Sequence, residues 1–257
     1  MSLSTPHAAS RTFANPEPVS REASILGDPQ FPKVALKQAQ KDEHRIFQAV
    51  FQTYSRLELT KETDKPTAIS GMGHRLADAL QSDYSFGVFT SPGHLHRSLL
   101  WRRAGPTLLR RIDENCLEVP TWSWTSIHGA IDYLQVESKE VQWNPKISLK
   151  PTTQIGRAAW ELTAPVRDFA IDNIWNEQNV LVLDRQHTAN IRELKCAVIG
   201  ESAPSSHQEQ DNICYVLVIS KVKTAEGVTE YKRDGIACIR KAHLAVGGGE
   251  RERCRLI

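Results

Sequence analysis

The segment VPTWSWTSIHGAIDY, residues 119–133, places two of the chain's six tryptophans two positions apart. Alternation of Trp122 and Trp124 with threonine and serine predicts a strand that directs both rings to one side. A ligand platform and a core strand would use the same residues, but no ligand motif lies nearby. Two large rings bury much apolar area, which favours the core. We therefore expect this segment to begin a β-rich half and to lock it against the helices that precede it.

Helical periodicity dominates the sequence upstream of this segment. Ile46, Val50 and Tyr54 recur every four residues, which predicts an amphipathic helix. A second helix is predicted within TKETDKPTAISGMGHRLADAL, residues 60–80, where Thr63 or Asp64 can cap and Pro66 lies in the first turn. A third, shorter helix is predicted within PGHLHRSLLWRRA, residues 92–104. These elements indicate a helical N-terminal half.

A period of two replaces this pattern after Pro120. Alternating segments bounded by glycine, proline, asparagine or charged residues predict strands. They are TWSWTS, AIDYLQV, AAWELTAPV, NVLVLD, KCAVIG, ICYVLVISKV, DGIACIRKA and RCRLI. No helix of convincing length separates them, so the predicted sheet is mainly antiparallel, with a hairpin at residues 225–227.

The predicted fold class is α+β, a helical N-terminal half followed by a mainly antiparallel β-rich unit. Three regions are expected: a disordered arm over residues 1–40, a helical segment over 41–113, and a β-rich unit over 114–257 packed on the helices. The arm is rich in Ser, Pro, Ala and Gln, and this composition cannot bury enough apolar area to offset the entropy of ordering. A short apolar patch within it, ILGDPQFP, could dock locally.

Composition argues against several classes of protein. The formal net charge of +2 is too small to indicate nucleic acid or an anionic membrane. No apolar run approaches the ~20 residues of a membrane-spanning helix. Five cysteines, an odd number without a CxxC pair, argue against a disulfide framework and a structural zinc site. The sequence therefore predicts a cytoplasmic protein with no membrane association, no cofactor and no metal.

Histidine, serine and aspartate residues give weak signals for catalysis. His94 and His96 would diverge by about 200° on a helix, and no third metal ligand is spaced to join them. Ser126, His128 and Asp132 suggest a hydrolase triad, but one short strand cannot bring such near neighbours into the usual constellation, and the chain lacks a GxSxG elbow. A hydrolase with a His/Asp site at the helix–sheet junction is the alternative to a non-catalytic protein.

Four arginines provide the signal for nucleic acid. Arg102, Arg103, Arg110 and Arg111 form two basic pairs beside apolar residues. Such runs usually form a solvated face, and phosphate contact is the less common use. Nucleic-acid binding through this patch is therefore a third hypothesis.

Four blocks, in a fixed order, carry a resemblance to a known family. They are FQTYSRLELTKETDKPTAISGMG, YSFGVF, LHRSLLW and VPTWSWTSIHGAIDY. Together they resemble the region that follows the HET domain in fungal heterokaryon incompatibility proteins. The likeness covers residues 47–133 and is looser towards the C-terminus. Phe47 and Phe89 stand where the family usually has tryptophan, while His128 takes an acidic position and Ala130 a proline.

The resemblance implies a function and a set of residues. The expected core residues are Trp122, Trp124, Trp101, Tyr54 and Phe47. The expected interaction residues are Asp64, Lys65, Arg56 and His128. No block similar to the HET domain itself occurs in the sequence. The resemblance thus implies a truncated family member, a non-catalytic interaction or regulatory module in self/non-self recognition, with a HET-domain protein as candidate partner.

Overall fold

The computed structural model describes residues 31–39, 42–112, 119–136, 141–154, 157–170, 180–185, 193–202, 212–225, 228–245 and 253–256. The helices are α1 (Lys33–Ala39), α2 (Glu43–Ser55), α3 (Lys65–Leu80) and α4 (His94–Leu99). Short strands accompany them: β1 (Tyr84–Ser85), β2 (Val88–Phe89), β3 (Trp101–Arg103), β4 (Arg110–Arg111), β5 (Ile127–His128) and β6 (Ile131–Tyr133). We call residues 31–136 the front unit.

The remaining strands form one large sheet, which we call the barrel unit. They are β7 (Val141–Trp143), β8 (Ser148–Gln154), β9 (Arg157–Asp168), β10 (Val180–Leu183), β11 (Lys195–Ser202), β12 (Ile213–Ala225), β13 (Val228–Arg240) and β14 (Arg253–Leu256). Strand β9 pairs with both β14 and β11, which closes β9, β11, β12, β13 and β14 into a five-stranded barrel. A ring with an odd number of strands cannot alternate in direction throughout. The parallel pair β13–β14 resolves this conflict.

The predicted α+β class is wrong, because the fold is mostly β and its helices are few and short. Helices α2 and α3 lie where the period of four predicted them. The predicted third helix, however, ends at Leu99, and the chain continues as strand β3. Short hairpins fill the rest of the front unit, and strands β7 and β8 have no counterpart among the predicted elements. Strands of two or three residues are too short to carry a detectable alternation, so the sequence pattern overstated the helical share. Strand β8 has seven residues, but its sequence SLKPTTQ contains a proline and few apolar positions, so it shows no apolar alternation either.

Part of the predicted arm is packed against the front unit. Helix α1 falls within it, and Phe31 and Leu36 are buried. Arg75 on α3 donates a hydrogen bond to the carbonyl oxygen of Phe31. Phe31 belongs to the apolar patch ILGDPQFP that was expected to dock locally, whereas α1 and Leu36 follow that patch. The rest of the predicted arm lies outside the described residues.

Three clusters of buried side chains hold the fold together. The barrel core takes side chains from all five barrel strands: Leu162, Ala164, Val166, Ala197, Ile199, Leu217, Ile219, Tyr231, Ile236 and Leu256. An outer cluster covers the opposite face of β11, β12 and β13, with Cys196, Val216, Val218, Ala237 and Ile239. The front core joins α2 and α3 to the hairpins, through Phe47, Phe51, Ile69, Leu76, Phe89, Trp101, Trp124 and Tyr133. Successive side chains of β11, β12 and β13 point to opposite faces of the sheet, so these strands contribute to both the barrel core and the outer cluster.

The two tryptophans of the opening segment lie in a turn, and the predicted strand is wrong here. Ser123 is extended, and a 3-10 helix follows at Trp124–Ser126. The Ser123 hydroxyl caps this turn by accepting a hydrogen bond from the Thr125 amide at 3.0 Å. Because the turn breaks the period of two, the rings diverge. Trp122 enters the barrel core and Trp124 the front core.

A buried arginine joins the two units. Arg233 on β13 is 2% exposed, and its Nε lies 2.9 Å from Oδ2 of Asp184. It also donates to the carbonyl oxygens of Leu99, at 2.8 Å, and Trp101, and its guanidinium carbon lies 3.3 Å from the centre of the Trp101 ring. Burial raises the pKa of Asp184 and lowers that of Arg233, while each partner opposes the other's shift. The front unit is therefore fastened to the barrel by a fully enclosed cation.

Candidate functional site

Strand β11 changes its pairing partner along its length, and we call the point of change the seam. Residues 195–197 of β11 pair with residues 166–168 of β9, whereas residues 200–202 pair with residues 141–143 of β7. The register of β11 against β12 shifts between Val198 and Gly200, which marks a bulge at the change of partner. Bulges of this kind locally bend a strand and are frequent beside binding sites.

Asn144 binds the stretch of β11 that lies between its pairing with β9 and its pairing with β7. Its backbone amide donates to the Ile199 carbonyl oxygen at 3.0 Å, and its side-chain amide donates to the Val198 carbonyl oxygen at 2.8 Å. Both carbonyl groups would otherwise lack a neighbouring strand on that side. Asn144 therefore fixes the position of the chain that leaves β7.

A cleft of about 780 Å3, counted to its open mouth, lies over this seam. We call it the seam cleft. Its polar and charged lining residues are Gln142, Asn144, Lys146, Arg167, Glu201 and Lys241. Its apolar lining comes from Trp143, Pro145, Pro165, Val198 and Leu244.

Trp143 forms a rigid wall of the seam cleft. A Cβ atom on Gly200 would lie 2.7 Å from the Trp143 ring, so only glycine lets the ring lie this close to β11. The His96 ring stacks on Trp143 with 5.4 Å between centres, and the Arg97 guanidinium carbon lies 5.0 Å from the ring centre. The front unit thus holds the wall of a cleft in the barrel unit.

His96 is a neutral component of this arrangement. Its Nε2 lies 2.9 Å from the carbonyl oxygen of Asn144, and because a carbonyl only accepts, Nε2 carries the proton. Burial lowers the pKa of His96, and the hydrogen bond to Asn144 opposes the shift. Within the described residues, Nδ1 is buried without a hydrogen-bond partner. The neutral ring stacks on Trp143 without adding charge to the lining.

Charged side chains also line the seam cleft. Among the described residues they are Lys146, Arg167, Lys241 and Glu201. Oε1 of Glu201 accepts hydrogen bonds from Lys241 at 2.9 Å and from Asn212 at 2.7 Å.

The thiol beside the cleft is unsuited to nucleophilic attack. Cys214 lines the seam cleft, and burial raises its pKa to about 12, with the Glu201 carboxylate adding to the rise. The thiolate is the reactive form of cysteine, so Cys214 stays protonated at neutral pH.

The expected core residues lie in the barrel core and the front core. Trp101, Trp122, Trp124 and Phe47 are fully buried, and Tyr54 is partly buried against the front core. The Trp101 indole donates to the Trp122 carbonyl oxygen at 2.9 Å. The apolar faces of α2 and α3 are therefore covered by the protein's own hairpins.

The four expected interaction residues take part in separate contacts. Arg56 forms an ion pair with Asp132 at 2.7 Å. Lys65 is buried over the Trp124 ring and donates to the Ile127 carbonyl oxygen at 2.8 Å. His128 Nδ1 lies 3.2 Å from a Glu62 carboxylate oxygen, while Asp64 is exposed and caps no helix. Three of them thus stabilise the front unit internally.

The arginines that suggested nucleic acid do not form a stripe. Arg103 donates to the Leu183 carbonyl oxygen at 2.9 Å, and Arg111 donates to that of Val119 at 3.0 Å. Arg110 pairs with the Glu62 carboxylate. Arg102, on β3 between Trp101 and Arg103, is half-buried. Three of the four guanidinium groups are engaged within the protein, which removes the observation that favoured nucleic acid.

The side chains of Ser126, His128 and Asp132 do not contact one another as a catalytic triad requires. The Ser126 hydroxyl donates to the Ser123 carbonyl oxygen at 2.7 Å, while His128 faces Glu62. His94 and His96 also diverge, and the described residues contain no group of three ligands that could hold a metal.

A different serine–histidine pair is present at the start of α4. The Ser91 hydroxyl lies 2.9 Å from Nδ1 of His94, and Nε2 of His94 lies 3.8 Å from the Glu43 carboxylate. The second distance exceeds that of a hydrogen bond, so Glu43 does not orient the imidazole as a triad requires. Sequence reasoning weighed His94 only as a metal ligand and so missed its contact with Ser91, and the approach of Glu43 has no sequence signal because Glu43 lies far away along the chain.

Comparison with known proteins adds no relative. No family model, no curated protein and no solved structure matches this chain. Within the described residues, no helix has both the length and the apolar character needed to cross a membrane. The seam cleft had no signal in the sequence, because its lining comes from segments up to about a hundred residues apart.

Proposed function

We propose that this chain is a non-catalytic regulatory binding module of the cytoplasm, related to fungal heterokaryon incompatibility, and that the seam cleft is its ligand site. The observation that supports the proposal is the cleft itself, an open cavity with polar, charged and aromatic lining at a change of strand partner. The four sequence blocks support the link to self/non-self recognition.

The contacts of the chemically active groups favour binding over turnover. Cys214 is kept protonated, Ser126 is tied to a backbone carbonyl, and His128 faces Glu62 in an ion pair on the front unit. None of these groups meets a second one in the relation of nucleophile to general base. A hydrolase would need such a pair beside the cavity.

The fastening between the units supports a regulatory role. Trp143, in the wall of the cleft, contacts His96 and Arg97 of the front unit. A ligand that contacts Trp143 would therefore act on both units at once. This gives a path from the cleft to a protein partner that recognises the front unit, and a HET-domain protein is the partner we propose.

Inducible expression in a fungal host tests this function. We expect the chain alone to leave viability unchanged and to alter the cell death caused by a co-expressed HET-domain protein. The double variant Lys146→Gln/Lys241→Gln should lose that effect. Its matched control is Lys150→Gln/Lys195→Gln, which removes one exposed lysine and one ion-paired lysine outside the cleft; Lys195 pairs with Asp168 at 2.8 Å, as Lys241 pairs with Glu201 at 2.9 Å.

Two results would contradict the proposal. Death caused by the chain alone would refute the non-catalytic, passive reading. An unchanged response of the HET-domain protein, with the chain present at similar abundance, would refute the regulatory role.

A further inference from the structure

We propose that acid regulates the seam cleft, because protonation of His96 releases α4 from the Trp143 wall. The groups that meet there are His96 and Arg97 of α4 on one side, and Trp143 and Asn144 on the other. We call them the Trp143 contact. The inference rests on the proposed function, since it concerns the regulation of the same cleft.

The Trp143 contact is built around a neutral imidazole. Nε2 of His96 donates to the Asn144 carbonyl oxygen at 2.9 Å, which places the proton of the neutral ring on that nitrogen. Nδ1 then carries a lone pair, and within the described residues it is buried without a hydrogen-bond partner. Protonation would turn Nδ1 into a buried N–H donor with no acceptor, which is costly to leave unpaired. The closed contact therefore disfavours the charged ring.

Protonation would also place a second cation on the Trp143 ring. Arg97 is 7% exposed, and its guanidinium carbon lies 5.0 Å from the centre of that ring. It donates to the Val136 carbonyl oxygen at 3.2 Å, and Asp42 is the carboxylate that favours its charge, with no ion pair between the two in the described part of the chain. Residues 141–145 carry no charge, and Lys146 follows them. A protonated His96 would thus meet like charge and no new counterion.

His94, one turn away on α4, is exposed to opposing influences. Its Nδ1 lies 2.9 Å from the Ser91 hydroxyl, and its Nε2 lies 3.8 Å from the Glu43 carboxylate at the start of α2. Burial lowers the pKa of His94, the Glu43 carboxylate opposes the shift, and Arg97 adds to it. Acid therefore charges His94 against the effect of burial and of Arg97, but with partial compensation by Glu43.

His44 on α2 resists protonation more strongly. Burial, and then the charge of Arg97, lowers its pKa to about 4; Arg45 and His94 add to the shift, while Asp42 opposes it. His44 is 8% exposed. The interface between α2 and α4 thus holds neutral histidines around a buried guanidinium, and His96 is the one that touches the cleft wall.

The direction of the pH effect follows from burial of His96, which lowers its pKa in the closed contact. When the contact opens, the ring reaches water and regains the ordinary pKa of about 6.5. Between the lowered and the ordinary pKa the open form binds more protons, so acid favours opening. For a histidine that stays neutral when closed, the opening equilibrium constant rises about tenfold between pH 7.5 and pH 5.5.

Amide hydrogen exchange of the full chain at pH 7.5 and pH 5.5 tests the inference. His96→Gln keeps an N–H donor for the Asn144 carbonyl oxygen but cannot be protonated. Division of the native exchange rate by that of the variant at the same pH cancels the intrinsic effect of pH. For residues 94–99 and 141–144, we expect this ratio to rise at least threefold between pH 7.5 and pH 5.5. The control is His128→Gln, which removes an exposed histidine outside the contact and should behave as the native protein does.

Nuclear magnetic resonance of the native protein provides a measurement that does not depend on the folding of His96→Gln. The indole N–H resonance of Trp143, identified by its absence in Trp143→Phe, should change between pH 7.5 and pH 5.5. The midpoint of this change should lie below pH 6.5, because burial lowers the pKa of His96. A Trp143 resonance that does not move in this range would overturn the inference.

The exchange experiment can overturn the inference in two ways. A constant ratio of native to His96→Gln rates would do so, and so would loss of the rise in His128→Gln. If the pH effect is absent while the cleft variant still abolishes the effect on cell death, the acid regulation is wrong and the regulatory function stands. If the pH effect is present and the effect on cell death is absent, the regulatory function is wrong and the acid sensitivity of the Trp143 contact stands.

Discussion

Trp122 and Trp124 are two residues apart and lie in different cores. Trp122 packs with the barrel strands, and Trp124 packs with Phe51 of α2, with 5.2 Å between ring centres. The intervening Ser123 holds the turn that separates them by donating to the Phe86 carbonyl oxygen at 2.6 Å. One short segment therefore anchors both units of the protein.

Removal of either ring should destabilise the protein strongly. Trp122→Ala and Trp124→Ala each leave a large cavity in a closed core, and we expect each to lower the free energy of unfolding by about 3–5 kcal/mol. Chemical denaturation measures the loss. Leu57→Ala is the control, because Leu57 is 57% exposed and its removal should change stability by less than about 0.5 kcal/mol. Losses below about 1 kcal/mol at both tryptophans would mean that neither ring is in a core.

The Arg233–Asp184 pair should be sensitive to the loss of one partner. Arg233→Met leaves the buried Asp184 carboxylate uncompensated, so the free energy of unfolding should fall by roughly 3–5 kcal/mol. The double variant Arg233→Met/Asp184→Leu removes both charges and should be more stable than Arg233→Met alone. Denaturation of the two variants decides this. As a surface reference, Lys195→Gln breaks the partly exposed pair with Asp168 and should cost less than about 1 kcal/mol.

Two glycines of α3 should respond in opposite directions to alanine. Gly73 lies against the Tyr84 ring, and a Cβ atom there would overlap that ring. Gly73→Ala should therefore destabilise the protein by about 1–3 kcal/mol. A Cβ atom on Gly71 meets no atom within 4 Å, and Gly71→Ala should stabilise the helix by roughly 0.5–1 kcal/mol. Thermal unfolding of the two variants compares them directly, and a loss of equal size in both would rule out the ring contact as its cause.

Lys65 should make stability depend on pH. Burial lowers its pKa to about 8, against an opposing effect of Glu62, from the ordinary value of 10.5. Between these two values the unfolded chain binds more protons than the folded protein, so stability gained through Lys65 rises with pH. We expect the free energy of unfolding of the native protein, minus that of Lys65→Met, to increase between pH 8 and pH 10 by roughly 1 kcal/mol per pH unit. Subtraction cancels the tyrosines and cysteines that titrate in the same range. A flat difference would mean that the Lys65 amine keeps its ordinary pKa.

The barrel strands illustrate what a sequence pattern can reveal. Strands β9, β11, β12 and β13 are long, and their alternation or continuous apolar runs reflect burial on two faces. The same holds for the apolar faces of α2 and α3. The period of these long elements was visible without the structure, whereas α1 (Lys33–Ala39) and β8 (Ser148–Gln154), each of seven residues, were not predicted.

The seam cleft illustrates what a sequence pattern could not reveal. Its lining unites residues 142–146, 165–167, 198–201 and 241–244, and no local pattern connects them. Lys146 and Lys241 have the appearance of ordinary surface lysines until the closing of the barrel brings them to one cavity.

The sequence by itself determined most of the long strands, the two main helices and the balanced charge, because each follows from local composition or period. Only the tertiary structure decided that the sheet closes into a barrel and that Arg233 is enclosed between the units. It also decided that Trp122 and Trp124 enter different hydrophobic cores. The physical reason is that closure depends on pairing between distant strands. The parallel contact of β13 with β14 and the change of partner along β11 are set by the register of the whole sheet, which no window of the sequence contains.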